Sequence, residues 1–192
     1  MKMKRTRILA EAALMVAAAA VLSVIQLPGP WVNGGSITLC SMLPICVVSF
    51  RHGIKWGLLS GFAFGILQMM FGISGLRGIS LTTFVLSVLM DYLLAFTVLG
   101  LAGIFRNRIA KPSISFAAGA SVAIFLRFLC HFISGCVVWD SLVTVEGIHW
   151  AGILYSLQYN ASYMLPEWII TVAVGIVLCR MVDLRAERIA YR

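Results

Sequence analysis

Long apolar stretches separated by short polar connections run along the whole chain. Since a membrane-crossing helix needs about 20 mostly apolar residues to cross roughly 30 Å of hydrocarbon, these stretches predict transmembrane helices. The six predicted spans are about Ile8–Gln26, Ile37–Phe50, Ile54–Phe71, Leu81–Ile104, Ile114–Trp139 and Leu154–Val182. The second is short and contains Pro44, so it is expected to be bent or tilted. The pattern predicts an all-α polytopic membrane protein with six transmembrane helices.

The basic residues are concentrated in alternate connections between these spans. Thirteen of the fifteen are Lys2, Lys4, Arg5, Arg7, Arg51, Lys55, Arg106, Arg108, Lys111, Arg180, Arg185, Arg188 and Arg192. With six crossings, all thirteen lie on one side of the membrane. Because basic residues flanking spans favour the cytoplasmic side, both termini are predicted to be cytoplasmic.

The composition supports a membrane protein and excludes most other classes. Of the 192 residues, 61% are hydrophobic and only 11% are charged, against about 25% charged in a soluble domain. Six spans fill this length, so residues 1–192 are expected to form a single transmembrane domain. The net charge of +8 is explained by basic residues beside anionic lipid headgroups, and no nucleic-acid partner is expected. The first apolar run is too long for a signal peptide and is interpreted as a retained span.

The chain lacks the sequence motifs of the common enzyme classes. It has no G-x-x-x-x-G-K-[ST] phosphate-binding motif, no H-E-x-x-H and no G-x-S-x-G. Its three histidines are scattered and its few acids form no cluster for a divalent metal. We therefore expect no enzyme activity, no cofactor and no metal, and any energy for transport must come from another protein.

Polar residues at membrane depth are the candidates for function, because they are costly there and usually face the bundle interior. In span five they recur every fourth residue and so lie on one stripe of the helix: Arg127, His131, Gly135 and Trp139. The alternative is a structural stripe, with an interfacial tryptophan, a packing glycine and an arginine neutralised by an acid.

Spans four and six place further polar residues at similar depth. Asp91, followed by Tyr92, lies about ten residues inside span four, where it pairs with Arg127, is protonated, or binds a cation. In span six, Asn160, Tyr163 and Glu167 share one face, with Tyr155 one turn above Asn160; Glu167 is the preferred partner of Arg127. Together with Trp31 of the first outward loop, these aromatic and acidic groups suit a small, flat, nitrogen-rich organic cation.

The first span carries a small-xxx-small pair, Ala13 and Ala17. Such a pair allows another helix to approach closely. The other helix is either one of this chain or that of a partner protein.

Three stretches of sequence resemble a known family. They are Asp91-Tyr92-x-x-Ala95-Phe96; Arg127-x-x-x-His131-x-x-x-Gly135-x-x-x-Trp139; and Tyr155-Ser-Leu-x-Tyr159-Asn160-Ala-x-Tyr163-Met-x-Pro166. The chain resembles the thiamine-specific substrate-binding (S) component of energy-coupling factor (ECF) transporters over nearly its whole length. The resemblance implies high-affinity capture of thiamine from outside and delivery inward, driven by a transmembrane coupling subunit and two cytoplasmic ATPases.

The resemblance also implies roles for individual residues. Asp91, where the family has glutamate, would pair with the cationic ligand beside Tyr92, and His131 and Trp139 would pack on its rings. Gly135 would let the ligand approach the backbone. Tyr155 and Asn160 would form hydrogen bonds to the aminopyrimidine. Trp31 would be part of a lid, and Ala13 and Ala17 would dock on the coupling subunit.

Two alternatives to this function remain open at the level of the sequence. The chain could be an S component for another flat heterocyclic vitamin or precursor. It could also be a secondary transporter in which Asp91, Glu167 and Arg127 relay protons. In every case we expect a multi-pass protein of a prokaryotic cell membrane.

Overall fold

The fold is a bundle of helices joined by short connections. A computed structural model describes residues 2–30, 35–76, 78–139 and 150–186. Its α-helices and strands are α1 (Lys2–Val24), β1 (Gln26–Leu27), β2 (Ile37–Thr38), α2 (Leu43–His52), α3 (Ile54–Gly72), α4 (Leu81–Ser87), α5 (Ala95–Thr97), α6 (Pro112–Ser134) and α7 (Trp150–Met181). Two 3₁₀ segments, Ile73–Leu76 and Val98–Gly103, and two π-helical segments, Val88–Leu94 and Gly135–Trp139, continue some of these helices.

Five helical stretches of the described chain are long and apolar enough to cross a membrane. They are Arg5–Val24, Ile54–Leu76, Leu81–Gly103, Pro112–Val138 and Gly152–Met181. Only 17–33% of the most apolar window of each is buried inside the protein, so most of this apolar surface faces outward. Because a water-soluble protein rarely exposes such large apolar patches, the arrangement is that of a multi-pass membrane protein. Five of the six predicted segments are therefore confirmed as long apolar helices.

The second predicted segment is not a continuous helix. Its first residues form β2, which pairs antiparallel with β1 through Gln26–Thr38 and Leu27–Ile37. Cys40 then adopts a left-handed backbone conformation with φ of 60°. The helix α2 starts only at Leu43, and its ten residues rise about 15 Å. Pro44 fits this late start, because it lies in the first turn of α2, where its missing N–H is not needed.

The fourth span, Leu81–Gly103, changes helix type along its length. It runs from α4 through the π-helical segment Val88–Leu94 into α5 and ends as the 3₁₀ segment Val98–Gly103. Ser80 caps its start by accepting a hydrogen bond from the backbone N–H of Thr83 (3.2 Å). Short π-helical turns inside a helix are frequently found at functional sites.

Three glycines of α3 bring that helix into backbone contact with the fourth span. Gly57, Gly61 and Gly65 follow one another at intervals of four residues along one side of α3. A Cβ atom on Gly61 would lie 2.5 Å from the Phe96 carbonyl oxygen, and one on Gly65 would lie 2.8 Å from that of Tyr92. Since these are steric overlaps with backbone, only glycine allows this packing. This glycine contact fixes the depth and rotation of the fourth span against α3.

A buried ion cluster joins α1 to the end of α2. The Arg51 Nε atom lies 2.5 Å from Glu11 Oε1, and His52 Nε2 lies 3.2 Å from Glu11 Oε2. Arg51, predicted to follow the second span, lies in the last turn of α2, and its side chain is only 4% exposed. Glu11, the one acid of the first apolar run, compensates the buried guanidinium. Burial lowers the pKa of His52, and the nearby Glu11 carboxylate opposes that shift.

Candidate ligand-binding site

Three of the predicted site residues meet where the fourth span, α6 and α7 come together. His131 of α6 lies between them, with its Nδ1 atom 3.1 Å from Asp91 Oδ1. On its other side, Asn160 Nδ2 of α7 lies 3.5 Å from the backbone oxygen of His131. The structure therefore brings an acid, an imidazole and an amide of the predicted site into one cluster.

Asp91 is held in place by two groups of α6. Besides His131, the hydroxyl of Ser134 donates a hydrogen bond to Asp91 Oδ2 over 2.7 Å. The side chains of Asp91 and His131 are 16% and 13% exposed, so the carboxylate is largely removed from solvent. Asp91 itself is part of the π-helical segment Val88–Leu94, which has no buried residue of its own. This segment presents the acid toward α6.

The contacts of the two His131 ring nitrogens favour one tautomer. The Arg127 Nε–H group is always a donor, and it points to His131 Nε2 over a long 3.4 Å contact. Nε2 must then be the acceptor, so in a neutral imidazole the proton is on Nδ1 and is donated to Asp91. The result is a chain of cation, neutral imidazole and carboxylate across α6 and the fourth span.

Arg127 is not paired with the acid predicted for it. Its guanidinium lies 4.2 Å from the centroid of the Phe96 ring, a cation–π contact. Within the described residues, neither Glu167 nor Asp91 forms an ion pair with it. The predicted pair is therefore not a direct contact: Glu167 acts on Arg127 only through the longer-range attraction of the two charges, and His131 and the Phe96 ring make the close contacts.

Glu167 instead binds the segment that follows the first outward loop. Its Oε1 atom accepts hydrogen bonds from both the backbone N–H and the hydroxyl of Thr38. Thr38 Oγ1 also lies 2.7 Å from the hydroxyl oxygen of Ser41. Glu167 is 4% exposed, so these bonds satisfy a carboxylate that is buried in the protein.

The predicted polar face of α7 is buried. Five polar or aromatic side chains along it are each at most 6% exposed: Ser156, Asn160, Tyr163, Glu167 and Thr171. The Tyr163 hydroxyl donates to Asn160 Oδ1 over 2.7 Å, and Asn160 Nδ2 donates to the Ser156 carbonyl over 2.9 Å. The amide of Asn160 is thereby oriented toward α6.

Gly35, the first described residue after position 34, packs against this face of α7. Its backbone N–H donates to the Tyr159 hydroxyl over 3.1 Å. A Cβ atom on Gly35 would lie 2.7 Å from two carbons of the Tyr163 ring. Gly35 therefore lies directly on the aromatic groups of α7.

The remaining predicted site residues lie at the margin of the cluster or outside the described part. Tyr155 is 59% exposed and stacks on Tyr159 with ring centroids 5.8 Å apart. A Cβ atom on Gly135 would lie 3.0 Å from Ser156 Cβ, so its bare face packs on α7. Trp31 lies outside the described residues, and for Trp139 only the backbone, at the end of the second π-helical segment, is described.

Tyr92 and the alanine pair are both placed by the structure. Tyr92 packs along α3, with its backbone carbonyl oxygen at Gly65 and its hydroxyl at Gly72. Ala13 and Ala17 of α1 are exposed, whereas Ala12 and Ala19 of the same helix are buried. The predicted pair thus lies on the outer surface of the bundle.

Sequence reasoning missed Ser134 and Thr38, which complete the bonding of the two buried acids. Ser134 lies one helical turn after His131, so the spacing alone could have placed it beside the imidazole. Thr38 had no comparable signal, because its contact with Glu167 joins residues 129 positions apart. Both residues supply the donors that a buried carboxylate requires.

The arrangement is suited to holding a cation that also carries hydrogen-bonding groups. Asp91 supplies a negative charge at the junction of three helical elements, and His131 and Asn160 supply donors and acceptors beside it. In this structure these side chains bond to one another. A ligand would take over some of these bonds.

Comparisons with known proteins converge on one kind of protein. Residues 9–185 match the model of the family described as Thiamine transporter protein (Thia_YuaJ). The chain is similar to Thiamine transporter ThiT of Bacillus subtilis (34% identity, covering 89% of this chain and 88% of that protein). It is also similar to Thiamine transporter ThiT of Lacticaseibacillus paracasei (29% identity; 91% and 88% covered). The solved structure of ThiT from Listeria monocytogenes has the same fold, with a TM-score of 0.69 at 23% identity over 91% of this chain and 94% of that one.

Proposed function

Because the chain belongs to the thiamine transporter protein family, we propose that it is a high-affinity thiamine-binding S component of an ECF-type importer. Members of this family are transporters and not enzymes. The chain would capture thiamine from outside the cell and deliver it inward. The energy would come from ATP hydrolysis by partner subunits, since the sequence itself has no nucleotide-binding motif.

The observation that carries the proposal is the Asp91 carboxylate, which is held by His131 and Ser134 at the junction of three helical elements and is only 16% exposed. Thiamine is a permanent cation with an aminopyrimidine ring, so it needs one negative charge and several hydrogen-bonding groups. Asp91 would pair with the cation. The amide of Asn160 would read the pyrimidine edge, and His131 would pack against a ring.

A neutral His131, the form in which Nε2 accepts from Arg127, fits this assignment. If the imidazole were charged, it would cancel the charge of Asp91 and leave nothing to attract a cation. With the proton on Nδ1 and Arg127 directed at Nε2, the carboxylate keeps its full charge. Arg127 is separated from Asp91 by the ring, which lets both charges exist in one cluster.

We base the proposed partner on the outer surface of the chain and the proposed topology on its basic residues. Ala13 and Ala17 form an exposed small-residue patch on α1, and we assign to it the docking of the ECF transmembrane coupling subunit. Two cytoplasmic ATPases would complete the transporter. The bias of basic residues favours six crossings with both termini in the cytoplasm of a bacterium.

The test is a titration of the purified chain with a panel of vitamins, followed by intrinsic tryptophan fluorescence. Thiamine is expected to quench the fluorescence at low concentration, and biotin and riboflavin are not. Tight binding of another heterocycle without thiamine would overturn the assignment of the substrate. Uptake into proteoliposomes is then measured with and without the coupling subunit and ATPases. Uptake by this chain alone, driven by a pH gradient, would overturn the dependence on ATP.

A further inference from the structure

Glu167 is the buried acid of the bundle that the proposed binding of thiamine does not use. It is one turn beyond Tyr163 on the polar face of α7, and it is 4% exposed. Its Oε1 atom takes both donors of Thr38, whereas Oε2 has no hydrogen bond within the described part of the chain. Within the described residues, all of its hydrogen bonds are therefore made to the segment 35–38, through Thr38 at the end of β2.

That segment connects Glu167 to the candidate ligand site. Thr38 is three residues after Gly35, whose N–H bonds to the Tyr159 hydroxyl and whose backbone lies on the Tyr163 ring. Tyr163 in turn donates to Asn160 Oδ1. A continuous series of contacts therefore runs from Glu167 through the chain segment to the amide proposed to read the ligand.

Apart from the pairing of β2 with β1, the segment has two attachments to α7, and they differ in strength. The Glu167–Thr38 contact involves a buried carboxylate and two donors, and bonds to a charged acceptor are roughly twice as strong as neutral ones. The Gly35–Tyr159 contact is one neutral hydrogen bond. The Thr38 end is thus the firm anchor, and the position of Gly35 depends on it.

We propose that Glu167 is a positioning residue for the ligand site, acting as the hydrogen-bond acceptor that anchors Thr38 and thereby seats Gly35 on Tyr159 and Tyr163. This rests on the proposed thiamine function. Its role is to accept hydrogen bonds. It neither pairs with the ligand cation nor carries protons. Glutamine, which keeps an acceptor oxygen and removes the charge, should therefore replace it.

The experiment compares Glu167→Gln, Glu167→Leu and Thr38→Val in the full chain. The leucine variant is expected to bind thiamine at least about tenfold more weakly, since both charge-assisted bonds are lost. Thr38→Val, which removes only the hydroxyl, should fall between it and wild type. Glu167→Gln should stay within about threefold of wild type, because the acceptor is retained. The matched control is Thr171→Val, an isosteric change at a fully buried position one turn further along α7, with wild-type binding expected.

A second readout needs no ligand. Hydrogen exchange of the Thr38 amide should be faster in Glu167→Leu and nearly unchanged in Glu167→Gln. If the glutamine variant loses binding as completely as the leucine variant, the charge is required and the proposal is wrong. Unchanged binding in all three variants would also overturn it. If wild type binds another vitamin and not thiamine, the proposed function fails, and the exchange pattern still reports whether Glu167 anchors Thr38.

Discussion

Asp91→Asn separates the binding role of the acid from its structural role. Asparagine can keep the bonds to His131 and Ser134: its Oδ1 accepts from His131 Nδ1, and its Nδ2 donates to the Ser134 hydroxyl oxygen. The substitution therefore removes the charge and leaves the packing and hydrogen bonding of the unliganded chain nearly intact. We expect little change in melting temperature together with a large loss of thiamine affinity.

The size of that loss follows from the burial of the site. Two unit charges about 4 Å apart interact by about 4 kcal/mol at an effective dielectric constant of about 20. Arg127, on the far side of His131, weakens the field of Asp91, so about 2–4 kcal/mol is expected to be lost. At about 1.4 kcal/mol per factor of ten, the dissociation constant rises about 30- to 700-fold.

The assay is a fluorescence titration of wild type and Asp91→Asn, paired with thermal unfolding of both without ligand. A neutral pyrimidine fragment of thiamine is the matched ligand, and its binding should change much less than that of thiamine. Unchanged thiamine affinity would refute the reasoning. A variant that melts far below wild type would show instead that the acid mainly holds α6 to the fourth span.

Three further outcomes follow from surfaces and contacts elsewhere in the bundle. Ala13→Trp, on the exposed face of α1, should leave thiamine binding intact and abolish uptake by cells that carry the whole transporter. Gly72→Ala places a methyl group against the Tyr92 ring and should weaken binding about fivefold in the titration, whereas Gly75→Ala, with nothing within 4 Å, should not. Burial lowers the pKa of His52, so its contribution to the stability of the folded protein is complete above about pH 6.5 and decreases as the pH falls below that value. Between pH 7.5 and pH 5.5, the melting temperature of His52→Gln should therefore fall less than that of wild type.

The sequence predicts the long helices of this fold and not its irregular parts. Length and hydropathy suffice for five helices, because crossing a membrane imposes the same requirement on each. The second segment deviates because Pro44 and the donors of Thr38 allow a short strand and a delayed helix. Hydropathy treats those residues as interruptions in a span and gives no information on their partners.

The candidate site was predictable where its residues share one helix. His131 with Arg127, and Asn160 with Tyr163 and Glu167, follow from spacing along α6 and α7. Which acid faces which cation depends on the packing between helices, and spacing alone did not predict the contact of Arg127 with the Phe96 ring. The glycines of α3 set that packing, and their meaning emerges only when the neighbouring backbone is known.

The π-helical segment at Val88–Leu94 has a consequence for the length of the fourth span. A π turn contains one residue more than the α-helical turn it replaces, so it is equivalent to a single-residue insertion that the helix has absorbed. Deleting one residue there would restore an ordinary helix, keep the two flanking parts in register and change mainly the directions of the side chains inside the segment. Asp91 lies inside it, so the acid would turn away from α6 while the contacts of Phe96 with the α3 glycines remained. The extra residue therefore serves the orientation of the acid and not the packing of the span.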